Sequence, residues 1–156
     1  MTEESVEQVV LPFQHPCSII LAGPSKCGKT EFMLKVMKEQ LIQPFASRII
    51  VQYGEWQKAY DTLKTIYPYQ IEFTKTFDEA TYRSLKPEQR NIVVLDDQML
   101  DGSDSAVIAR LFVQGSHHRN LSVIFMLQNL YHPGKFIRDI TRNTDYFVLF
   151  RSPRDL

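Results

Sequence analysis

The fold of this chain is decided by one stretch, Gly23-Pro24-Ser25-Lys26-Cys27-Gly28-Lys29-Thr30. It matches the pattern G-x-x-x-x-G-K-[ST], which is typical of loops that bind nucleotide phosphates through backbone N–H groups. A short apolar segment, residues 17–22, precedes the stretch, and residues 31–41 follow it with apolar side chains at helical spacing. A strand, a glycine-containing loop and a helix form the context that this pattern requires. We therefore predict a phosphate-binding loop, and not an ordinary glycine turn.

The residue types in this loop indicate its chemistry. Gly23 and Gly28 let the backbone bend so that successive N–H groups point toward a phosphate, and the start of the helix adds the positive end of its dipole. Lys29 is expected to contact the β- and γ-phosphates, and the Thr30 hydroxyl is expected to bind Mg²⁺. The remaining members of the predicted loop contribute mainly backbone groups: Pro24, Ser25, Lys26 and Cys27.

The composition is that of an ordinary globular domain. Of the 156 residues, 44% are hydrophobic, which is enough to fill one core. The 18 basic and 18 acidic residues give a formal net charge of zero, so a nucleic-acid partner has to be held by a local basic patch. The apolar runs are too short to span a membrane, and the acidic N-terminus does not resemble a signal peptide. Cys17 and Cys27 are expected to be free thiols in a reducing, intracellular compartment.

The rest of the chain alternates strand patterns with helical patterns. We predict strands at residues 17–22, 48–53, 69–74, 91–97, 121–129 and 146–150, and helices at residues 31–41, 56–66, 78–85, 105–115 and 133–142. Residues 1–15 are expected to form an arm that precedes a single domain, residues 16–156. Because runs such as residues 92–95 are apolar without alternation, their strands are expected to be covered on both faces. The predicted fold class is α/β: a P-loop NTPase with a mostly parallel sheet and helices on both faces.

Polar residues follow two further predicted strands, Asp96-Asp97 in one case and Gln128-Asn129 in the other. Ligands of parallel sheets bind at the carboxyl ends of strands, so these residues are expected to meet the phosphate loop. Asp96 is predicted to complete a Mg²⁺ site with Thr30. Asp97 is predicted to polarise the attacking water, and Gln128 to contact the γ-phosphate, with Asn129 as its alternative. Adjacent carboxylates also occur as a solvated turn at a strand end, and that alternative stays open.

Further charged residues are candidates for a catalytic arginine or for a metal site. Hydrolysis commonly uses an arginine from a neighbouring subunit, and Arg119, Arg138 and Arg142 are the candidates. His117 and His118 are expected to end a helix and not to bind a metal, because adjacent side chains point in different directions and no other ligand lies at zinc spacing.

Longer motifs accompany the phosphate loop and cover nearly the whole chain from Pro16 onward. They are Val94-Leu95-Asp96-Asp97, Ser116-His117-His118-Arg119-Asn120-Leu121-Ser122-Val123-Ile124, Gln128-Asn129-Leu130-Tyr131, Gly134-Lys135 and residues 143–155, which end in Pro153-Arg154-Asp155. Together they resemble the genome-packaging ATPases of poxvirus type, in particular those of Maverick/Polinton elements and related large DNA viruses, within the FtsK–HerA superfamily. The phosphate loop is shared by many families, whereas the other motifs are more specific.

The resemblance implies a RecA-like ASCE core in which the Gln128 strand lies between the strands that carry the phosphate loop and Asp96. It implies a homo-oligomeric ring, expected to be a hexamer, that hydrolyses ATP between subunits and drives double-stranded DNA into a capsid. Such a protein works inside the host cell, at the viral assembly site or in the virion. By matched position, the resemblance supports the roles of Lys29, Thr30, Asp96, Asp97 and Gln128.

Two departures from the family pattern stand out. Asp97 replaces a glutamate that is more usual in the superfamily, and the chain ends at Leu156, soon after the last predicted strand, where relatives continue.

Two other functions compete with the motor: a P-loop nucleotide kinase, and a nucleotide-regulated binding module without turnover. A kinase function is disfavoured because no arginine-rich lid is apparent between the helices predicted toward the C-terminus.

Overall fold

The computed structural model of the protein describes residues 12–96, 104–115, 118–128 and 135–151. Within them the elements follow in the order β1 (Phe13–Gln14), β2 (Ser18–Ala22), α1 (Lys29–Lys38), β3 (Ile42–Gln43), β4 (Arg48–Gln52), α2 (Lys58–Ile66), β5 (Ile71–Thr74), α3 (Glu79–Arg83), β6 (Asn91–Asp96), α4 (Asp104–Arg110), a π-helical turn (Leu111–Gly115), β7 (Leu121–Leu127), α5 (Lys135–Arg142) and β8 (Tyr146–Leu149).

A parallel sheet with the strand order β5-β4-β6-β7-β2-β8 forms the centre of the molecule. Strand β7 lies between β2 and β6, with Leu127 opposite Ala22 and Met126 opposite Asp96. Every residue of β2, β6 and β7 is buried, as expected for parallel strands that are covered on both faces. The predicted α/β fold class is confirmed.

Alternate side chains of the strands pack into two apolar clusters, one on each face of the sheet. One cluster joins residues such as Ile20 and Val93 to α3, α4 and α5. The other joins Ile19 and Ile92 to α1 and α2. Since neighbouring strand residues point to opposite faces, the uninterrupted apolar runs in the sequence supply both clusters at once.

The edge of the sheet at the carboxyl ends of its strands, here called the carboxyl edge, is drawn together by backbone hydrogen bonds. The Gly23 N–H donates to the Leu127 carbonyl at 3.0 Å, and the Phe150 N–H donates to the Ala22 carbonyl at 2.9 Å. The segments that leave β2, β7 and β8 therefore start side by side. This is the edge at which a ligand of a parallel sheet is expected.

Several local features differ from the sequence prediction, for example the end of α1 at Lys38 and not at residue 41. Helix α2 begins at Lys58 and not at residue 56, because Trp56 packs on the rings of Tyr53 and Phe73 while Gln57 adopts extended backbone. In addition, β1 and β3 form a small parallel pair, although the sequence analysis placed β1 in the arm and predicted no element at the position of β3. Elements of two residues carry too little periodicity to be recognised.

Other predictions fall on residues that the structure does not describe. Residues 1–11 of the expected arm are among them, so the division of the chain at residues 15 and 16 stays a prediction. Asp97, Asn129 and His117 also lie outside the described residues. Among the residues that are described, the structure contains no helix with the length and apolar character needed to cross a membrane.

Candidate functional site

A cleft of about 640 Å³ opens at the carboxyl edge of the sheet. It brings loop residues 25–30 together with Asp96 and Gln128, which the sequence analysis assigned to one site. Glu55 and Gln57 also line it, although the sequence analysis gave them no role. Gly23 and Pro24 do not line the cleft.

The loop holds a backbone shape that favours glycine at its end. Gly28 has a φ of +102°, in the left-handed region where a side chain is strained. It is also the N-cap of α1 and provides no side-chain cap for the first turn of that helix. The first N–H groups of a helix have no partner within the helix, so the start of α1 suits an anionic ligand in the cleft.

Gly23 is required for a different reason, which is close packing. A Cβ at this position would lie 2.8 Å from the Phe150 Cβ and 2.9 Å from the Cys27 sulfur. A Cβ at Gly28 would lie 3.9 Å from the Phe150 ring, and that ring also packs edge-on against Phe32. Phe150, which the sequence analysis treated only as part of a core strand, thus supports the phosphate loop from behind.

The Lys29 ammonium is folded back onto the carbonyl groups around it. Its Nζ donates to the carbonyl oxygens of Gly23, of Leu127 at 3.2 Å and of Pro24 at 3.4 Å. These acceptors are neutral, whereas a phosphate oxygen carries a negative charge that attracts the ammonium more strongly. Lys29 is therefore held at the mouth of the loop by bonds that a phosphate can replace.

Asp96 ends β6 and is only 7% exposed. Its Oδ2 accepts hydrogen bonds from the Tyr60 hydroxyl and from the Gln57 Nε2, the latter at 2.9 Å. Its own N–H donates to the Gln52 Oε1 at 3.2 Å. Burial, followed by the hydrogen bond with Asp96 and its negative charge, raises the pKa of Tyr60. The hydroxyl therefore stays protonated and remains a donor to the carboxylate.

Gln128 connects the end of β7 to the phosphate loop. Its Nε2 donates to the Ser25 hydroxyl at 2.9 Å. A carboxamide in this position lies beside the loop that is predicted to hold the γ-phosphate, which is the placement expected of Gln128. Its role toward a nucleotide stays a prediction.

The residues that line the cleft fit a magnesium ion in their chemistry. Thr30 and Asp96 both line it, and hydroxyl and carboxylate oxygens are the protein ligands that Mg²⁺ prefers. Asp97 follows Asp96 directly but is not described, so its predicted part in the reaction is untested. Within the described residues, no group of three or more histidine, cysteine, aspartate or glutamate side chains forms another candidate metal site.

Three residues of the site were missed from the sequence: Glu55, Gln57 and Tyr60. A signal existed for the first two, since they follow β4, and the rule that ligands bind at strand carboxyl ends applies to that strand as well. Tyr60 had no such signal. It lies within a helical pattern, and only the packing of α2 against the sheet brings its hydroxyl to Asp96.

The three candidate arginines occupy different places. Arg119 precedes β7, donates to the Leu85 carbonyl at 3.2 Å and lies 5.1 Å from the centre of the Tyr82 ring. It is therefore at the opposite edge of the sheet from the cleft. Arg138 and Arg142 lie on α5 and are exposed.

Comparisons with solved structures agree with this architecture. No protein-family model matches the sequence, and a search of curated proteins gave no significant match. The structure is similar to the genome-packaging NTPase B204 of Sulfolobus turreted icosahedral virus 2 in complex with ATP-γS, with a TM-score of 0.57 and 17% identity over 88% of this chain and 78% of that one. It is also similar to B204, the DNA-packaging ATPase of Sulfolobus turreted icosahedral virus, with a TM-score of 0.58 and 13% identity over 93% and 80% of the two chains.

A third similar structure comes from a different biological system. The cytoplasmic domain of the type VII secretion ATPase EccC from Thermomonospora curvata matches with a TM-score of 0.58 and 17% identity, over 89% of this chain but only 20% of that one. At such identities the similarity establishes the fold alone. The chain has the fold of P-loop ATPases that work in viral genome packaging and in secretion.

Proposed function

We propose that this chain is the ATP-hydrolysing subunit of a motor that packages double-stranded viral DNA into a capsid. The observation that carries the proposal is the position of β7 between β2 and β6. Through it Lys29, Asp96 and Gln128, from three separate parts of the sequence, line or border one cleft. The same architecture in two viral packaging ATPases supports the choice of a packaging motor.

The proposed reaction is attack of water on the γ-phosphorus of ATP. A bond forms from the water oxygen to phosphorus, the bond from phosphorus to the β,γ-bridging oxygen breaks, and a proton leaves the water. Lys29 and the N–H groups at the start of α1 bind the phosphates. Thr30 and Asp96 would hold a Mg²⁺ ion, which would supply positive charge beside the phosphates. Asp97 accepts the water proton, and Gln128 orients the γ-phosphate.

The proposal includes a homo-oligomeric ring, expected to be a hexamer, in which a neighbouring subunit completes the site. An arginine acting in trans is the usual source of the remaining positive charge. Arg138 and Arg142 are exposed on α5 and accessible to a neighbour, whereas Arg119 already contacts Leu85 and Tyr82. The capsid and the DNA are the proposed partners, and the site of action is the infected cell or the virion.

The test is an ATPase assay with and without double-stranded DNA, together with the mass of the protein in ATP. We expect turnover that DNA stimulates and a multiple of the mass of one chain. Asp97→Ala is expected to bind ATP but to lose about a hundredfold or more in kcat, because a general base contributes at least that factor. Glu88→Ala, an exposed carboxylate ahead of β6, is the matched control and is expected to keep normal turnover.

Other results would select a different function. Phosphate transfer to a nucleoside monophosphate supports a kinase, and ATP binding without turnover, with or without DNA, supports a nucleotide-regulated binding module. Normal turnover by the Asp97→Ala protein would remove that residue from the mechanism. A failure to bind ATP·Mg²⁺ at all would contradict the proposal.

A further inference from the structure

The segment that connects β4 to α2 contacts the cleft from the side opposite the phosphate loop. Gln57 lies at the N-cap of α2 and Tyr60 in its first turn, and both donate to the same carboxylate oxygen, Asp96 Oδ2. Gln52, the last residue of β4, accepts from the Asp96 backbone N–H. Three side chains from one connected stretch therefore hold a single residue of β6.

We propose that Tyr60 and Gln57 are positioning residues that orient the Asp96 carboxylate for a divalent metal ion. The inference rests on the proposed function, because it concerns the metal that accompanies the nucleotide. Two donors on one oxygen restrict rotation of the carboxylate plane. Mg²⁺ requires a nearly ideal octahedral arrangement of ligands, so a carboxylate in a fixed orientation binds it better than a mobile one.

The position of Tyr60 is itself determined by packing. The side chain is fully buried, and its ring lies 5.5 Å from that of Trp56 and 5.9 Å from that of Phe73, centre to centre. Because the Tyr60 ring is fixed by this packing, its hydroxyl stays in one place. The hydroxyl therefore determines where the Asp96 oxygen that bonds to it lies. Groups that hold a metal ligand from behind commonly contribute 10–100-fold to metal affinity.

The structure also provides a matched control for the removal of a buried tyrosine hydroxyl. Tyr67 is 5% exposed and belongs to the same apolar cluster as Tyr60, but its hydroxyl donates to the Met37 carbonyl at 2.6 Å, away from Asp96. Tyr60→Phe and Tyr67→Phe each remove one buried hydroxyl and keep the ring. Only the first removes a hydrogen bond to Asp96.

The experiment measures binding of a non-hydrolysable ATP analogue by calorimetry, once with excess Mg²⁺ and once with EDTA. The readout is the ratio of the two dissociation constants. We expect Tyr60→Phe to lower the benefit of Mg²⁺ by about tenfold while binding in EDTA stays unchanged, and Tyr67→Phe to keep the wild-type ratio. Gln57→Leu, at a half-buried position, is expected to act like Tyr60→Phe and decides the case if Tyr60→Phe does not fold.

The alternative outcomes contradict either the positioning role or the proposed function. A wild-type ratio in both the Tyr60→Phe and Gln57→Leu proteins, or an equal loss of affinity with and without Mg²⁺, overturns the positioning role. A wild-type protein that binds the analogue equally well in Mg²⁺ and in EDTA overturns it too. A wild-type protein that binds no nucleotide in either condition contradicts the proposed function itself.

Discussion

The carboxyl edge of the sheet and the opposite edge, here called the amino edge, both carry polar side chains but use them differently. At the amino edge the polar groups bond to one another: the His15 Nδ1 lies 2.6 Å from the Ser122 hydroxyl, and its Nε2 lies 2.8 Å from the Asn120 Oδ1. At the carboxyl edge Lys29 and Asp96 line an open cleft. The polar groups of the amino edge stabilise the fold, whereas those of the carboxyl edge face a cleft that a ligand can enter.

The difference shows which hydrogen bonds can be exchanged. Ser122 is fully buried, and its hydroxyl also accepts from the Cys17 backbone N–H at 3.1 Å, so no ligand can replace these bonds. Lys29 donates to backbone carbonyls at the rim of a cleft, where a phosphate can reach it. Substitutions at the two edges should therefore separate loss of binding from loss of stability.

The largest expected effect is at Lys29. Lys29→Ala removes the ammonium that is expected to contact the phosphates, and a truncated charge pair of this kind costs about 2–5 kcal/mol. We expect ATP affinity to fall by about thirtyfold to several thousandfold over that range, with little change in the free energy of unfolding. Calorimetric titration with ATP·Mg²⁺ measures the first quantity and denaturant unfolding the second.

Lys35→Ala is the control for this substitution, because Lys35 lies on the same helix but is exposed. It should bind ATP like the wild-type protein. If Lys29→Ala also binds normally, the carboxyl edge is not a phosphate site and the contrast between the two edges disappears.

The second expected effect is a difference in reactivity between the two free cysteines, Cys17 just before β2 and Cys27 after it. Cys17 is 2% exposed at the amino edge, and burial, opposed in part by the hydrogen bond with Ser122, raises its pKa to about 11. At pH 8 about one Cys17 thiol in a thousand is then a thiolate, the form that reacts. Cys27 lines the cleft.

We expect iodoacetamide to modify Cys27 much faster than Cys17 at pH 8, because Cys17 is buried and few of its thiols are thiolates. Mass spectrometry of digested protein measures the two rates. ATP·Mg²⁺ should slow the reaction at Cys27 and leave Cys17 unaffected. Equal rates at the two sites would mean that the amino edge opens as readily as the cleft.

The smallest expected effect is at Ser122. Ser122→Ala leaves the buried Cys17 N–H without its acceptor, and an unsatisfied buried donor costs about 1–3 kcal/mol. Unfolding by urea should show this loss of stability. ATP affinity should stay within about twofold of the wild-type value, because Ser122 is distant from the cleft. Ser47→Ala, at an exposed position ahead of β4, should leave both quantities unchanged. A large loss of ATP affinity in Ser122→Ala would show that the two edges are coupled.

Much of the fold could be predicted from local patterns, and the reasons are physical. The four inner strands, β2, β4, β6 and β7, were predicted because strands covered on both faces need apolar side chains at nearly every position. The edge strands β5 and β8 are only partly buried. The phosphate loop was predicted because few residue types allow the backbone to turn as it does at Gly28. Boundaries were less certain: neither Trp56 nor Gln57 is a helix-breaking residue, yet α2 begins only at Lys58, and Gln57 lines the cleft.

The residues of the candidate site also fall into those that a local pattern predicts and those that it does not. Residues such as Asp96 and Gln128 could be placed because each is polar and follows an apolar strand. Tyr60 could not, because the property that matters is its distance to a residue 36 positions later in the chain. Neither could Phe150, since its contact with Gly23 depends on β8 pairing beside β2.

The sequence by itself determined the alternation of strands and helices, the phosphate loop and the polar residues at the strand ends, because each of these is set by the chemistry of neighbours along the chain. Only the tertiary structure decided the strand order, the partners of Asp96 and the hydrogen bonds among His15, Asn120 and Ser122 at the amino edge. Those features join residues up to about a hundred positions apart. Contacts at such separations form only when both faces of the sheet are packed, and no local pattern encodes them.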